Sequence, residues 1–236
     1  MCIRVSFIAA SYLSNAANIQ LDSFPPPLSR AFFKEEDHRI RMALAIALGK
    51  TASPTALNVL TNQLKLAQDY RLKAVILRAL GNFEYRDCRD AVVEALEDAQ
   101  LPVSVRAAQF FLDFGSSSDA TYYWRLAKDT LPWQTQLTLY QATQKHLPGF
   151  YAQYRGSINN ELIRRFRQSD NLYEKAKILD VLAEHGWNYR IIYNEGNSSE
   201  SPIVKTAMMD ALQKIAEQPD FRRFFGLGTR RVEREL

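Results

Sequence analysis

Ser116-Ser117-Ser118-Asp119 sets three hydroxyls beside a carboxylate, and a nucleophile of this kind needs a base and an orienting group within reach. The run follows Gly115, where a loop must close between two helices. Ser118 or Asp119 therefore reads as the N-cap of the next helix. Glu94 and Glu97-Asp98 offer paired carboxylates, and the i, i+3 spacing puts Glu94 and Glu97 on one helix face. Acid–base work would also need a concave pocket and perturbed pKa values, so a solvated face accounts for them. His38, His146 and His185 are scattered, and Cys2 and Cys88 make no framework. The sequence predicts no metal site and no cofactor. It carries no phosphate-cradling glycine loop, no His-Glu-x-x-His helix and no nucleophile elbow.

Two further groups have chemical potential. Arg164, Arg165 and Arg167 share a helix with Ile158, Leu162 and Phe166, whose i, i+4, i+8 spacing is a core stripe. The arginines are then expected outward or sideways, as a solvated face or a contact for an anionic partner together with Arg222 and Arg223. Tyr122, Tyr123, Trp124, Trp133, Tyr140, Phe150, Tyr151 and Tyr154 crowd one stretch beside Arg125 and Arg155. Such a mixture can stack nucleic-acid bases, but filling an irregular helical core is the reading preferred here.

The elements that must hold these residues come from a repeat. Asp37–Gln68 laid over Asp69–Gln100 without a gap gives eight identities in 32 positions, including Ala47/Ala79, Leu48/Leu80 and Gly49/Gly81. Chance would give about two. Ile40, Leu44, Ala47 and Leu48 form one apolar stripe; Gly49 is expected to stop that helix, and Ser53-Pro54 to open the next. Leu57, Leu60 and Leu64 carry the second stripe. In the following unit Asp87 is the expected cap, with Val92 and Leu96 in the stripe. Neither pair buries its apolar face alone, so neighbours must stack. The motif extends outward with decay, through Ile3–Ala10 with Pro25–Glu36, Val105–Gly115 with Tyr122–Lys128, a degenerate Gln- and Thr-rich Leu131–His146, Asn171–Gly186 and Pro202–Ala216.

The pattern Ile/Leu-Arg/Lys, five residues, Ala-Leu-Gly resembles a HEAT repeat, of the compact variety found in bilin-lyase-type HEAT-like repeats. The resemblance implies an all-α protein, an α-solenoid (alpha-alpha superhelix) of about six HEAT-like helix pairs over residues 1–220, followed by a basic, flexible tail over 221–236. The stretch from Tyr173 to Ile215 also resembles the helical-repeat region of bacterial chains that carry a cyclophilin-type peptidyl-prolyl isomerase domain. No part of this chain reads as that β-barrel, so no catalytic residue carries over. As an isomerase parent is typically exported, that resemblance implies a periplasmic or exported location in place of the default, cytoplasmic one.

The net charge of +4 sits mostly in the last sixteen residues, where five arginines face two glutamates for a net of +3. A nearly neutral body argues against a nucleic acid-binding protein, including a base-excision enzyme, which would carry a basic stripe. No apolar run reaches the ~18 residues of a membrane span. The first residues, MCIRVSFIAASYLSNA, compete between a signal peptide and a first repeat helix, and the register of Ile3-Arg4 favours the helix. Its apolar character leaves that end open to a partner or a second copy. A concave face of second helices would present Asn58, Asn62 and Lys65, then Asp90, Glu94 and Glu97. That face turns from neutral to acidic and suits a protein or peptide of basic or mixed charge. The sequence thus reads as a non-enzymatic protein-binding scaffold, ahead of an isomerase-associated repeat region, a bilin-lyase-like enzyme and a nucleic-acid-binding repeat.

Overall fold

Asp37 and Asp69 stand 32 residues apart because each starts a helix the same way. The Asp37 carboxylate accepts from the Arg39 amide at 2.8 Å, and the Asp69 carboxylate from the Arg71 amide at 2.8 Å. Each satisfies an amide that the first helical turn leaves without a partner. Ser53 caps the next helix, accepting from the Ala56 amide at 3.2 Å, with Pro54 in the first turn.

The computed structural model describes residues 12, 13 and 15, 25–127, 129–148 and 152–219. In chain order the helices are α1 (Pro25–Lys34), α2 (His38–Lys50), α3 (Pro54–Leu66), α4 (Tyr70–Leu80), α5 (Tyr85–Ala95), α6 (Leu101–Phe114), α7 (Ala120–Leu126), α8 (Trp133–His146), α9 (Ala152–Gln168), α10 (Leu172–Leu182), α11 (Tyr189–Asn197) and α12 (Pro202–Glu217). Single 3₁₀ turns, Ser117–Asp119 and Gly186–Asn188, precede α7 and α11. Among the described residues there is no strand. The fold is an all-α, HEAT-like helical repeat.

The chain forms two compact units, residues 1–116 and 117–236. In the first, α2, α4 and α6 pack side by side as one layer, and α1, α3 and α5 form the other. The expected stripes are the core, apart from the half-buried Leu57: Ile40, Leu44, Leu48, Leu60, Leu64, Leu72, Ile76, Leu80, Val92 and Leu96 are all buried. Each such side chain contributes about 1.5–3 kcal/mol. The small residues of the motif set the spacing. A Cβ at Gly49 would lie 2.8 Å from the Ala79 carbonyl oxygen and 2.9 Å from the Ala79 methyl. Glycine is what lets α2 and α4 approach so closely. Gly49 does not end its helix as the sequence suggested; α2 runs one residue on, and Ala52 takes the left-handed turn at φ 46°. Gly81 does cap α4, and the Phe114 ring lies across it. Asp87 is not a cap either, since α5 starts after Glu84 and Asp87 falls in its first turn.

In the second unit α8, α10 and α12 pack in sequence, α7 lies on α8, and α11 on α12. Ile158, Leu162 and Phe166 are buried as their spacing predicts. Trp187 lies in the turn between α10 and α11. Among the described residues no helix is long and apolar enough to cross a membrane. The stretches expected as the first repeat helix and as the basic tail lie outside the described residues, apart from the few positions named above.

Candidate partner-binding surface

The face anticipated from the repeat is solvent-exposed. Asn58, Asn62 and Lys65 of α3, Asp90 and Glu94 of α5, and Glu97 in the turn just past the end of α5 are all exposed, so Glu94 and Glu97 do not share a helix face as their spacing suggested. The two helices are neighbours, joined by an ion pair from the Lys65 ammonium to the Glu94 carboxylate at 2.7 Å. Both side chains are half exposed, so the pair adds little stability. It does change the electrostatics. The expected step from neutral to acidic is blunted, because Lys65 offsets Glu94 and Arg89 lies 3.2 Å from Asp90. The surface is one of mixed charge framed by two asparagines. Asp98 does not share it. Its carboxylate turns inward to the Lys73 ammonium at 2.6 Å, where both side chains are largely buried.

The arginines of α9 are occupied by the chain's own carboxylates. Arg164 donates to both oxygens of Glu161, at 2.9 and 2.6 Å, and to Gln168 at 2.6 Å. Arg167 is held by Glu195. Arg165 corrects the outward expectation: it is mostly buried, pairs with Glu174 at 2.6 Å and donates to the Gln136 side chain. Arg222 and Arg223 lie outside the described residues.

The aromatic stretch is core only in part: Tyr123 and Tyr140 are buried, and Tyr122, Trp124 and Trp133 are half-buried. Tyr123 is fully buried, and Trp124 stacks on Tyr140 with ring centroids 4.8 Å apart. Burial pushes the Tyr140 hydroxyl above its ordinary range against the pull of Arg165. Tyr154 remains nearly half exposed and Trp187 is 70% exposed. Phe150 and Tyr151 lie outside the described residues.

What the sequence reading missed is α8. The helix taken as degenerate buries Thr135, Gln136, Thr138, Gln141, Thr143 and Gln144. Buried amides must be bonded, and each of the three glutamines donates at least one hydrogen bond. Gln136 donates to the Leu131 carbonyl at 2.8 Å. Gln141 donates to Glu184 at 2.6 Å and accepts from Lys177 at 2.7 Å. Gln144 donates to Asn159 at 2.8 Å, which donates to Asn188 at 2.8 Å, which donates to the Leu182 carbonyl at 2.8 Å. Thr138 and Thr143 donate back to carbonyls one turn earlier. Gln144 Oε1 and His185 Nε2 are among the buried side-chain atoms of the described residues that make no hydrogen bond. One sequence signal was available: before Lys145, α8 has polar residues at every angular position and no charge. That is the pattern of a helix enclosed on all sides by polar partners.

Charge continues this network. The Lys214 ammonium bridges Asp180 at 2.9 Å and Glu184 at 2.5 Å, with Lys177 on Asp180 at 2.8 Å. Burial would raise Asp180, but the two ammonium groups outweigh it and hold the carboxyl below its ordinary range. Burial would lower Lys214, and its two carboxylate partners reverse this. Among the described residues no group of three or more His, Cys, Asp or Glu could hold a metal ion.

No family model matches the chain. No curated protein matches it in sequence. Among solved structures it is similar to the complex of CpcE and CpcF of phycocyanin lyase from Nostoc sp. PCC7120, with a TM-score of 0.53 and 14% identity over 99% of this chain and 90% of that one. At this identity the likeness establishes the fold, and it gives the isomerase-associated reading no support. It also overturns the expectation of a chain without enzymatic activity, because that expectation rested on the fold class and this fold is the one on which a lyase is built.

Proposed function

We propose that this chain is a partner-recognising subunit of a lyase-type complex, in which a HEAT-like repeat grips a protein through its exposed second helices. The observation that carries the reading is the likeness to a two-component lyase complex along almost the whole of both chains. The mixed-charge surface of Asn58, Asn62, Lys65, Asp90, Glu94 and Glu97 supports it, because such residues suit a protein surface of basic or mixed charge better than a phosphate backbone. The exposed Trp187 and Tyr154 add anchors of the type enriched at interfaces.

The test is size-exclusion chromatography with light scattering, on the chain alone and with soluble extract of its source. The expected result is one complex of fixed stoichiometry, weakened about tenfold by the double reversal Asp90→Lys and Glu97→Lys. A wild-type chain that stays monomeric and captures nothing would overturn the reading. A complex indifferent to the reversal would move the contact away from α3 and α5.

A further inference from the structure

The 32-residue register of the repeat reaches back into α1. Leu28 and Phe32 are buried as Leu60 and Leu64 of α3 are, and as Val92 and Leu96 are in and just after α5. The helices also end alike. The Glu35 amide donates to the Ala31 carbonyl at 3.0 Å, and the Ala67 amide to the Gln63 carbonyl at 2.9 Å. Because α1 packs beside α3 and α3 beside α5, the outward positions fall in rows across the three helices. By register, Arg30, Asn62 and Glu94 make one row and Phe33, Lys65 and Glu97 the next, and all six are exposed.

Across these rows the charge changes sign. Helix α1 carries Arg30 and Lys34, both exposed, and no carboxylate. Glu35, just past its end, folds back onto the amides of Glu36 and Asp37 at 3.1 and 3.0 Å, and Glu36 lies in the loop beyond. On the far side Asp87, Asp90, Glu94 and Glu97 outnumber Arg86, Arg89 and Lys65. Packed helix axes lie about 8–10 Å apart, so the two sides stand about 20 Å from each other. The cationic side is also the apolar one. Phe33 is 57% exposed, and Leu66, at the register position of Lys34, is 68% exposed. Such a face selects a partner by its polarity rather than by its net charge. It offers side chains and no strand edge, so an extended peptide finds no ladder to join. A helix arrives with its backbone already bonded, and about 14 residues of it span 20 Å.

We propose that the protein partner lays an α-helix of polar charge across α1, α3 and α5. Its acidic end meets Arg30 and Lys34, its basic end meets Asp90, Glu94 and Glu97, and its apolar residues rest on Phe33 and Leu66. This rests on the partner-binding reading above and adds the chemistry and orientation of what is bound.

The test titrates the full chain with two synthetic helices, followed by the nitrogen-15 amide signals of Arg30, Phe33, Asn62 and Glu94. One is acetyl-EELAELAQALAQLKAKLK-amide, with its acids at one end and its lysines at the other. The other, acetyl-EKLAQLAKALAELQAELK-amide, has the same residues with the charges interspersed. The first should give saturable shifts and bind about tenfold tighter than the second. Arg30→Glu with Lys34→Glu, and separately Glu94→Lys with Glu97→Lys, should each weaken it about tenfold. All four changes together reverse the polarity of the face, so the peptide turns end for end and its binding should return to within about threefold of wild type. A merely structural role for these exposed residues would give no such recovery. Absence of saturable shifts, equal binding of the two peptides, or a fourfold variant that stays weak would overturn the proposal. So would a dimer of the chain alone, seen by light scattering and broken by Arg30→Glu, which would assign the face to a second copy. A complex captured from extract beside failure of these probes would leave the partner-binding reading standing and strike only this one.

Discussion

Burial and the neighbouring Arg155 guanidinium hold the His185 imidazole down to about 4, against an ordinary value of 6.5. The folded chain therefore keeps this ring neutral where the unfolded chain protonates it. Between pH 6.5 and 4 the unfolded state binds the extra proton, so stability falls as pH falls through that window, by roughly 3 kcal/mol once both values are passed. Urea unfolding of wild type and His185→Gln at pH 7, 5.5 and 4.5 should show a slope that the variant loses. Equal slopes would mean that the ring reaches solvent. Nothing in the residue order hinted at this behaviour. A lone histidine near a helix end looks solvated until the fold packs Gln144, Arg155 and Glu184 around it.

At the level of elements, the repeat was legible because each of its residues answers a local physical demand. Aspartate starts the helix, leucine and isoleucine face the neighbour, and alanine and glycine allow close approach. Gly49 tests that last statement. Alanine normally gains about 1 kcal/mol over glycine inside a helix. At position 49 its methyl would meet the Ala79 main chain, which can yield only if α2 and α4 separate. Gly49→Ala should cost about 1–3 kcal/mol despite its better propensity. Gly81→Ala should cost less than about 1 kcal/mol, since what it meets is the far end of the half-exposed Phe114 ring. Urea midpoints measure both, and equal costs would refute the close-approach account. Helix ends were read less well. Gly49 looked like a stop and Asp87 like a cap, because a glycine that admits a neighbour and an aspartate in a first turn leave the same one-letter trace as caps.

At the scale of the whole molecule, composition and period indicated the all-helical class correctly, and they pointed away from catalysis for a reason that does not hold. As a repeat of the kind that mostly holds other proteins, the chain looked inert, yet its fold is similar to that of a lyase complex. The buried amides of α8 also escaped the reading, because glutamine and threonine without a stripe resemble a decayed repeat. Those amides have a thermal consequence. Exposing apolar surface raises the heat capacity of unfolding and exposing polar surface lowers it. The unit of residues 117–236, with Gln136, Gln141 and Gln144 in its interior, should unfold with a smaller heat-capacity step per residue than the leucine-cored unit of residues 1–116. All three tryptophans, Trp124, Trp133 and Trp187, lie in the later unit, so their fluorescence tells which calorimetric step is which. A smaller step for the tryptophan-bearing transition would give that unit a flatter stability curve, strong over a wider span of temperature, while its neighbour weakens sooner on cooling.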